Sequence, residues 1–163
     1  MPKKTKRAKK TDSTEKEFHR KTAVKCFNET WNFLDKKDRG PKDNVQMLLL
    51  AHASRYHWSL VGEPGNFMVG DWQLSRVYAS LKQPDLALLF ANSALDLCER
   101  NNLSDLFVSA YEGLARSYAV AGNFPQAREY IRKAHDRLET VTDPEDKKIY
   151  GDQINETEAM IQQ

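Results

Sequence analysis

Cysteine is scarce in this 163-residue chain, and the two present, Cys26 and Cys98, have no paired spacing. That argues against a disulfide scaffold or a Cys-based metal site, and both read as reduced packing thiols. No long apolar run occurs, so no membrane span is expected. No apolar segment follows the basic N-terminus closely enough for a secretory signal, and a cytoplasmic protein is expected. Catalytic signatures are also missing: there is no Gly-rich phosphate loop, G-x-S-x-G elbow or H-E-x-x-H. His52 and His57 are five positions apart, about 140° round a helix, so they cannot share a metal as an i, i+4 pair can. No enzymatic activity, cofactor or metal is expected.

What the chain has is charge, unevenly spread. The net +2 hides ten basic and three acidic side chains in residues 1–25, against fifteen and twenty in the remainder. Lys3, Lys4, Lys6, Arg7, Lys9 and Lys10 sit in a stretch with almost nothing to bury, so residues 1–14 are predicted to be a disordered basic tail. Such a tail either keeps the protein in solution or touches nucleic acid or an acidic partner by releasing counterions. No aromatic side chain interleaves with these lysines to stack on bases.

The chain also repeats. Leu74, Ser75, Tyr78, Ala87, Phe90 and Ala94 precede Leu114, Ala115, Tyr118, Ala127, Tyr130 and Ala134 by forty positions. A weaker copy, Trp31, Leu34, Met47, Leu50, Ala51 and Ser54, lies forty earlier, with polar Asp35 and Asp38 at two of its matching places. Within each copy apolar residues recur every three or four positions on both sides of a turn, which is a helical hairpin with one stripe per helix. Units that cannot bury a face alone must stack.

The run Tyr111-x2-Leu114-Ala115-x2-Tyr118, followed by Ala127, Ile131 and Ala134, resembles the tetratricopeptide repeat (TPR). The forty-residue spacing is longer than the family's usual one and implies longer helices or loops. The resemblance implies an all-α fold of antiparallel hairpins stacked as a short right-handed solenoid of about seven helices. Residues 15–163 form its single domain, with a degenerate hairpin over 15–61, repeats at 66–102 and 104–140, and a capping helix at 144–162.

In chain order, a helix is expected from about Glu15 to Lys37, ended by Gly40-Pro41. Asp43 or Asn44 caps the next helix, whose first half is apolar on most sides and is therefore expected to be buried between hairpins. That helix carries His52, Arg55 and Ser59 on one face, a polar string that either contacts the next hairpin or lines a cleft. Residues 62–66 read as a turn, and a helix follows over about 67–82. Asp143-Pro144 starts the last helix, which is expected to fray near Gly151.

In proteins that resemble this family, the first helix of each pair lines a concave groove that holds partner peptides. Carried over, this implies Trp72, Gln73 and Arg76 in one repeat and Glu112, Gly113 and Arg116 in the next. Arg76 and Arg116 would stand side by side and suit a carboxylate or phosphate, with Trp72 as an aromatic anchor. Alternatively, Glu112 and Arg116, at i and i+4, simply pair on a solvated face. The resulting expectation is a module that binds a peptide segment or protein partner. A nucleic-acid-associated protein acting through the tail is the alternative, and self-association is a third reading.

Overall fold

In the computed structural model, the described residues are 4–162 for the backbone and 12–162 for side chains. They form seven helices and no strand: α1 (Lys4–Leu34), α2 (Pro41–Val61), α3 (Pro64–Ser80), α4 (Pro84–Asn101), α5 (Phe107–Val120), α6 (Phe124–Leu138) and α7 (Pro144–Ala159). A 3-10 turn, Ser104–Leu106, leads into α5. Successive helices pack as hairpins, α1 with α2, α3 with α4 and α5 with α6, and α7 closes on α5 and α6.

Proline sets most of the starts. Helices α2, α3, α4, α6 and α7 each have Pro in their first two positions, where the missing N–H costs nothing and the fixed φ already fits. Two helices therefore begin earlier than the sequence reading placed them, at Pro41 and Pro64. Asp43 and Asn66, read as a cap and a turn former, lie inside the first turn and reach back. Asp43 accepts the Gly40 N–H at 3.0 Å, and Asn66 accepts the Glu63 N–H at 2.9 Å. Left-handed residues close the other ends: Asn102 ends α4 with φ 53°, and Gly122 follows α5 with φ 74°. Arg39 Nη1 donates to the carbonyls of Phe33 and Leu34, both at 2.9 Å, and so satisfies the end of α1.

Helix α1 begins at Lys4, inside the stretch expected to be a disordered tail. Neither Pro nor Gly interrupts residues 3–39, and Lys, Arg, Glu and Ala favour helix. Exposed i, i+4 pairs such as Asp12–Lys16 and Glu17–Lys21 add support. The side chains of Lys3, Lys4, Lys6, Arg7, Lys9 and Lys10 lie outside the described residues. Helix α7 passes through Gly151 without a break.

The forty-residue register governs the core. Leu74, Leu114 and Ile154 are fully buried at that spacing in α3, α5 and α7. In α2, α4 and α6, Met47, Ala51 and Ser54 match Ala87, Ala91 and Ala94, then Ala127, Ile131 and Ala134, all buried. All of these but Met47 and Ile131 are small, and at the small positions helix backbones can approach closely. Ring pairs repeat too: Tyr78 stacks on Phe90 and Tyr118 on Tyr130, with centroids 5.5 and 5.7 Å apart. The register fails in α1, because its connection to α2 spans residues 35–40, whereas the corresponding later connections span 81–83 and 121–123.

Helix α2 departs from expectation. Met47, Ala51 and Ser54 face the neighbouring helices, but Val45 and Leu49 are exposed, Leu49 at 59%. Its apolar residues exceed what one packed stripe can cover.

Candidate partner-binding groove

The odd-numbered helices stand in a row, with α3 against α5, α5 against α7, and α1 beside α3. Two cavities open on this row, and every α-helical residue lining either of them comes from α1, α3, α5 or α7. Since α1 and α7, the two ends of the row, wall the same cavities, the row curves until its ends face each other. The surface between them is a groove.

The residues expected on the groove wall do meet there, but they are buried and committed to one another. Glu112 is 2% exposed and saturated with donors. Its Oε1 accepts from Arg116 Nε at 2.8 Å, Thr157 Oγ1 at 2.7 Å and Arg76 Nη1 at 3.4 Å, and its Oε2 accepts from Trp72 Nε1 at 2.9 Å. Both guanidinium groups also reach Glu156 on α7, Arg76 through Nη2 and Arg116 through Nη2 at 3.1 Å. Arg76 further lies 5.3 Å from the Trp31 ring centroid and 6.0 Å from that of Trp72. Gln73 donates to the Phe27 carbonyl at 3.0 Å, tying α3 to α1.

Burial alone would raise the Glu112 carboxyl pKa. Arg116 and Arg76, with hydrogen bonds from Thr157 and Trp72, outweigh it and hold the group below the usual carboxylate range. Burial likewise works against the Arg116 cation, but Glu112 and Glu156 reverse this and raise its pKa. Two guanidinium and two carboxylate groups thus form a charge-balanced cluster, buried except at Glu156, which faces solvent. The arginines are not open donors for a ligand's phosphate or carboxylate. The Glu112–Arg116 pair of the alternative reading does form, but in a buried cluster and not on a solvated face.

The partner that sequence reasoning missed is Glu156. It follows Arg116 by forty positions, as Arg116 follows Arg76, so extending the repeat into the last helix was the signal. Gly113 has a packing role: a Cβ there would stand 3.0 Å from Trp72 Cδ1 and 3.2 Å from Ser75 Oγ, so it lets α5 approach α3.

On either side of the ion cluster the groove stays open. One cavity, about 260 Å³, is lined by Leu34, Asp35, Ser80, Lys82 and Met160 together with the cluster's outer edge. The other, about 410 Å³, is walled by Phe27, Trp31, Trp72, Ile149 and Tyr150. Phe27, Trp31 and Trp72 form a continuous aromatic wall, with successive centroids 6.4 and 5.8 Å apart. Ile149 remains 46% exposed beside it.

The polar string on α2 does not converge. His52 Nε2 is hydrogen-bonded to the Tyr78 hydroxyl at 2.8 Å, and its ring meets Phe90 edge-on. Arg55 pairs with Asp71 at 2.6 Å, where Ser93 also donates, and Ser59 donates to the Tyr56 carbonyl of its own helix. Each has a separate packing partner, and no cleft joins them. Among the described residues no group of three metal-ligating side chains occurs, and no helix is long and apolar enough to cross a membrane.

The architecture defines the chain as an all-α array of helical hairpins. No protein-family model matches it, and neither curated proteins nor solved structures provide a similar chain.

Proposed function

We propose that this protein is a TPR-like interaction module that holds a segment of a partner protein in the groove between α1 and α7. The observation that supports this is the 410 Å³ aromatic cavity, which the protein's own side chains leave open. Internal cores are packed to near-crystalline density, so an open aromatic wall of this kind is a surface suited to a ligand. Tryptophan and tyrosine are the side chains that dominate binding energy at protein interfaces, and here two Trp and one Tyr converge. The buried ion cluster holds the groove floor rigid, which lowers the ordering cost of binding.

Photo-crosslinking tests the reading. A benzoylphenylalanine placed at Ile149 should capture partner segments in lysate, whereas the same group at Leu89, exposed on α4, should not. Equal capture at both sites, or capture only at Leu89, would place binding outside the groove.

A further inference from the structure

We propose that the aromatic cavity takes an arginine side chain of a basic peptide segment, a deduction that rests on the groove being the binding surface. Three independent features point to this chemistry.

The first is an unmet acceptor. Gln153 Oε1 is buried among the residues lining this cavity and has no hydrogen-bond partner. A buried acceptor left unpaired is costly; because this oxygen has no accessible surface, an occupant's donor reaches it once the Gln153 amide turns toward the cavity.

The second is the wall. Flat indole and phenyl faces favour a planar cation, which stacks on the ring while its edge donates hydrogen bonds. Arg76 already uses Trp31 and Trp72 in this way from the neighbouring cavity. Its charge is matched by Glu112 and Glu156, so it does not oppose a second cation.

The third is charge. The aromatic cavity shares Asp146 and Tyr150 with an adjoining depression of about 220 Å³ that also contains Asp105 and Asp143. Three carboxylates and no Lys or Arg line the two together. Asp143 is spent on capping α7, where it accepts the N–H groups of Glu145 and Asp146 at 2.9 and 3.0 Å. It offsets the positive end of that helix. Asp146 remains to face the ligand, as does Asp105, which accepts only a 3.2 Å bond from Ser104 Oγ at one oxygen.

Spacing then shapes the occupant. Asp146 and Gln153 are seven residues apart on α7, two turns and roughly 10 Å along the axis, so one head group cannot meet both. The segment carries one arginine into the cavity toward Gln153 and a second basic residue at the mouth, against Asp146 and Asp105.

The test uses the full chain and the peptide acetyl-Gly-Arg-Ala-Arg-Gly-amide, followed by 1H–15N NMR titration. Two controls replace both arginines by citrulline, which keeps the shape and loses the charge, or by glutamate. The arginine peptide should move the Trp31 and Trp72 indole N–H signals and the Gln153 side-chain amide, in a saturable way. Citrulline should weaken binding at least tenfold, and glutamate should abolish it. Gln153→Leu should weaken the arginine peptide about tenfold without lowering the melting temperature, and Asp146→Asn should weaken it several-fold and flatten its salt dependence. Equal binding by the citrulline peptide, or no shift at these signals up to millimolar peptide, overturns the proposal. The groove reading fails separately: segments captured at Ile149 that lack basic residues would sink the arginine assignment alone, and absence of capture there would sink the groove.

Discussion

Glu112→Gln is the sharpest probe of the buried ion cluster. The substitution preserves shape but removes the charge, and its single oxygen can accept from Trp72 or from Thr157, which bond different carboxylate oxygens, but not from both. Arg76 and Arg116, with side chains only 10% and 9% exposed, are then left with Glu156 as their sole carboxylate. Removing one partner of a buried pair costs about 3–5 kcal/mol, since an uncompensated charge stays out of water. Glu156 still reaches both guanidinium groups, so the lower end applies, about 3 kcal/mol. For a chain of this size that lowers the melting temperature by roughly 6–12 °C. Glu156→Gln serves as the internal contrast. Its carboxylate is 57% exposed, and an ion pair so well solvated contributes about 1 kcal/mol or less. The pH dependence follows from the direction of the Glu112 shift. Its folded pKa lies below the ordinary 4.5, so its stabilisation is fully present above that value and is lost as pH falls through the folded pKa. The gap between wild type and Glu112→Gln, measured by urea melts followed at 222 nm, should be widest near pH 7 and narrow below pH 4.5. A gap below about 1 kcal/mol at pH 7, unchanged on acidification, would refute a buried charged cluster.

Gly113→Ala should destabilise by about 1–2 kcal/mol despite the better helix propensity of alanine, because the new Cβ meets a Trp72 ring pinned by Glu112. Thermal melts would check it, and a stabilised variant would mean that α3 and α5 can separate at little cost. Gly122→Ala meets no neighbour but needs φ 74°, so a loss of about 1 kcal/mol is expected from backbone strain alone. Burial, with a smaller contribution from Glu99, pushes the Cys98 thiol up to about 11, so Cys98 should resist iodoacetamide at pH 8 until denaturant is added. Rapid labelling of the native protein would contradict that packing. Leu49→Gln should change stability by less than about 0.5 kcal/mol, since that side chain is already in water.

Much of the architecture is legible in the sequence, because burial follows the repeat. Leu74 and Leu114 stand out as a forty-residue pair, and the same step reaches Ile154. The adjacency of Arg76 and Arg116 is legible on the same grounds. Their burial is not, because it depends on α7, a helix whose polar composition suggests a solvated cap. Thr157 and Glu156 turn its inner face into the lid of the ion cluster. Helix α2 shows the opposite limit. Counting apolar residues round a helix says how much could be covered, not what is present to cover it, and Leu49 faces water. His52, Arg55 and Ser59 share a helix face in projection, yet each turns to a different neighbour. The aromatic cavity lies beyond local patterning altogether, because Trp31, Trp72 and Tyr150 meet only when the row of helices curves.

That curvature has a consequence for how an occupant would be felt by the molecule. The cavity has α1 and α3 on one side and α7 on the other, and the chain joins α1 to α7 only through every hairpin between them. A peptide held there acts as a clasp across the mouth of an arc. To open the arc anywhere, whether by fraying α7 or by parting α3 from α5, is to lose the clasp. Occupancy should therefore slow amide exchange in α1 and α7 together. During synthesis the aromatic cavity cannot exist until α7 has left the ribosome, so it forms only after the three hairpins that precede that helix.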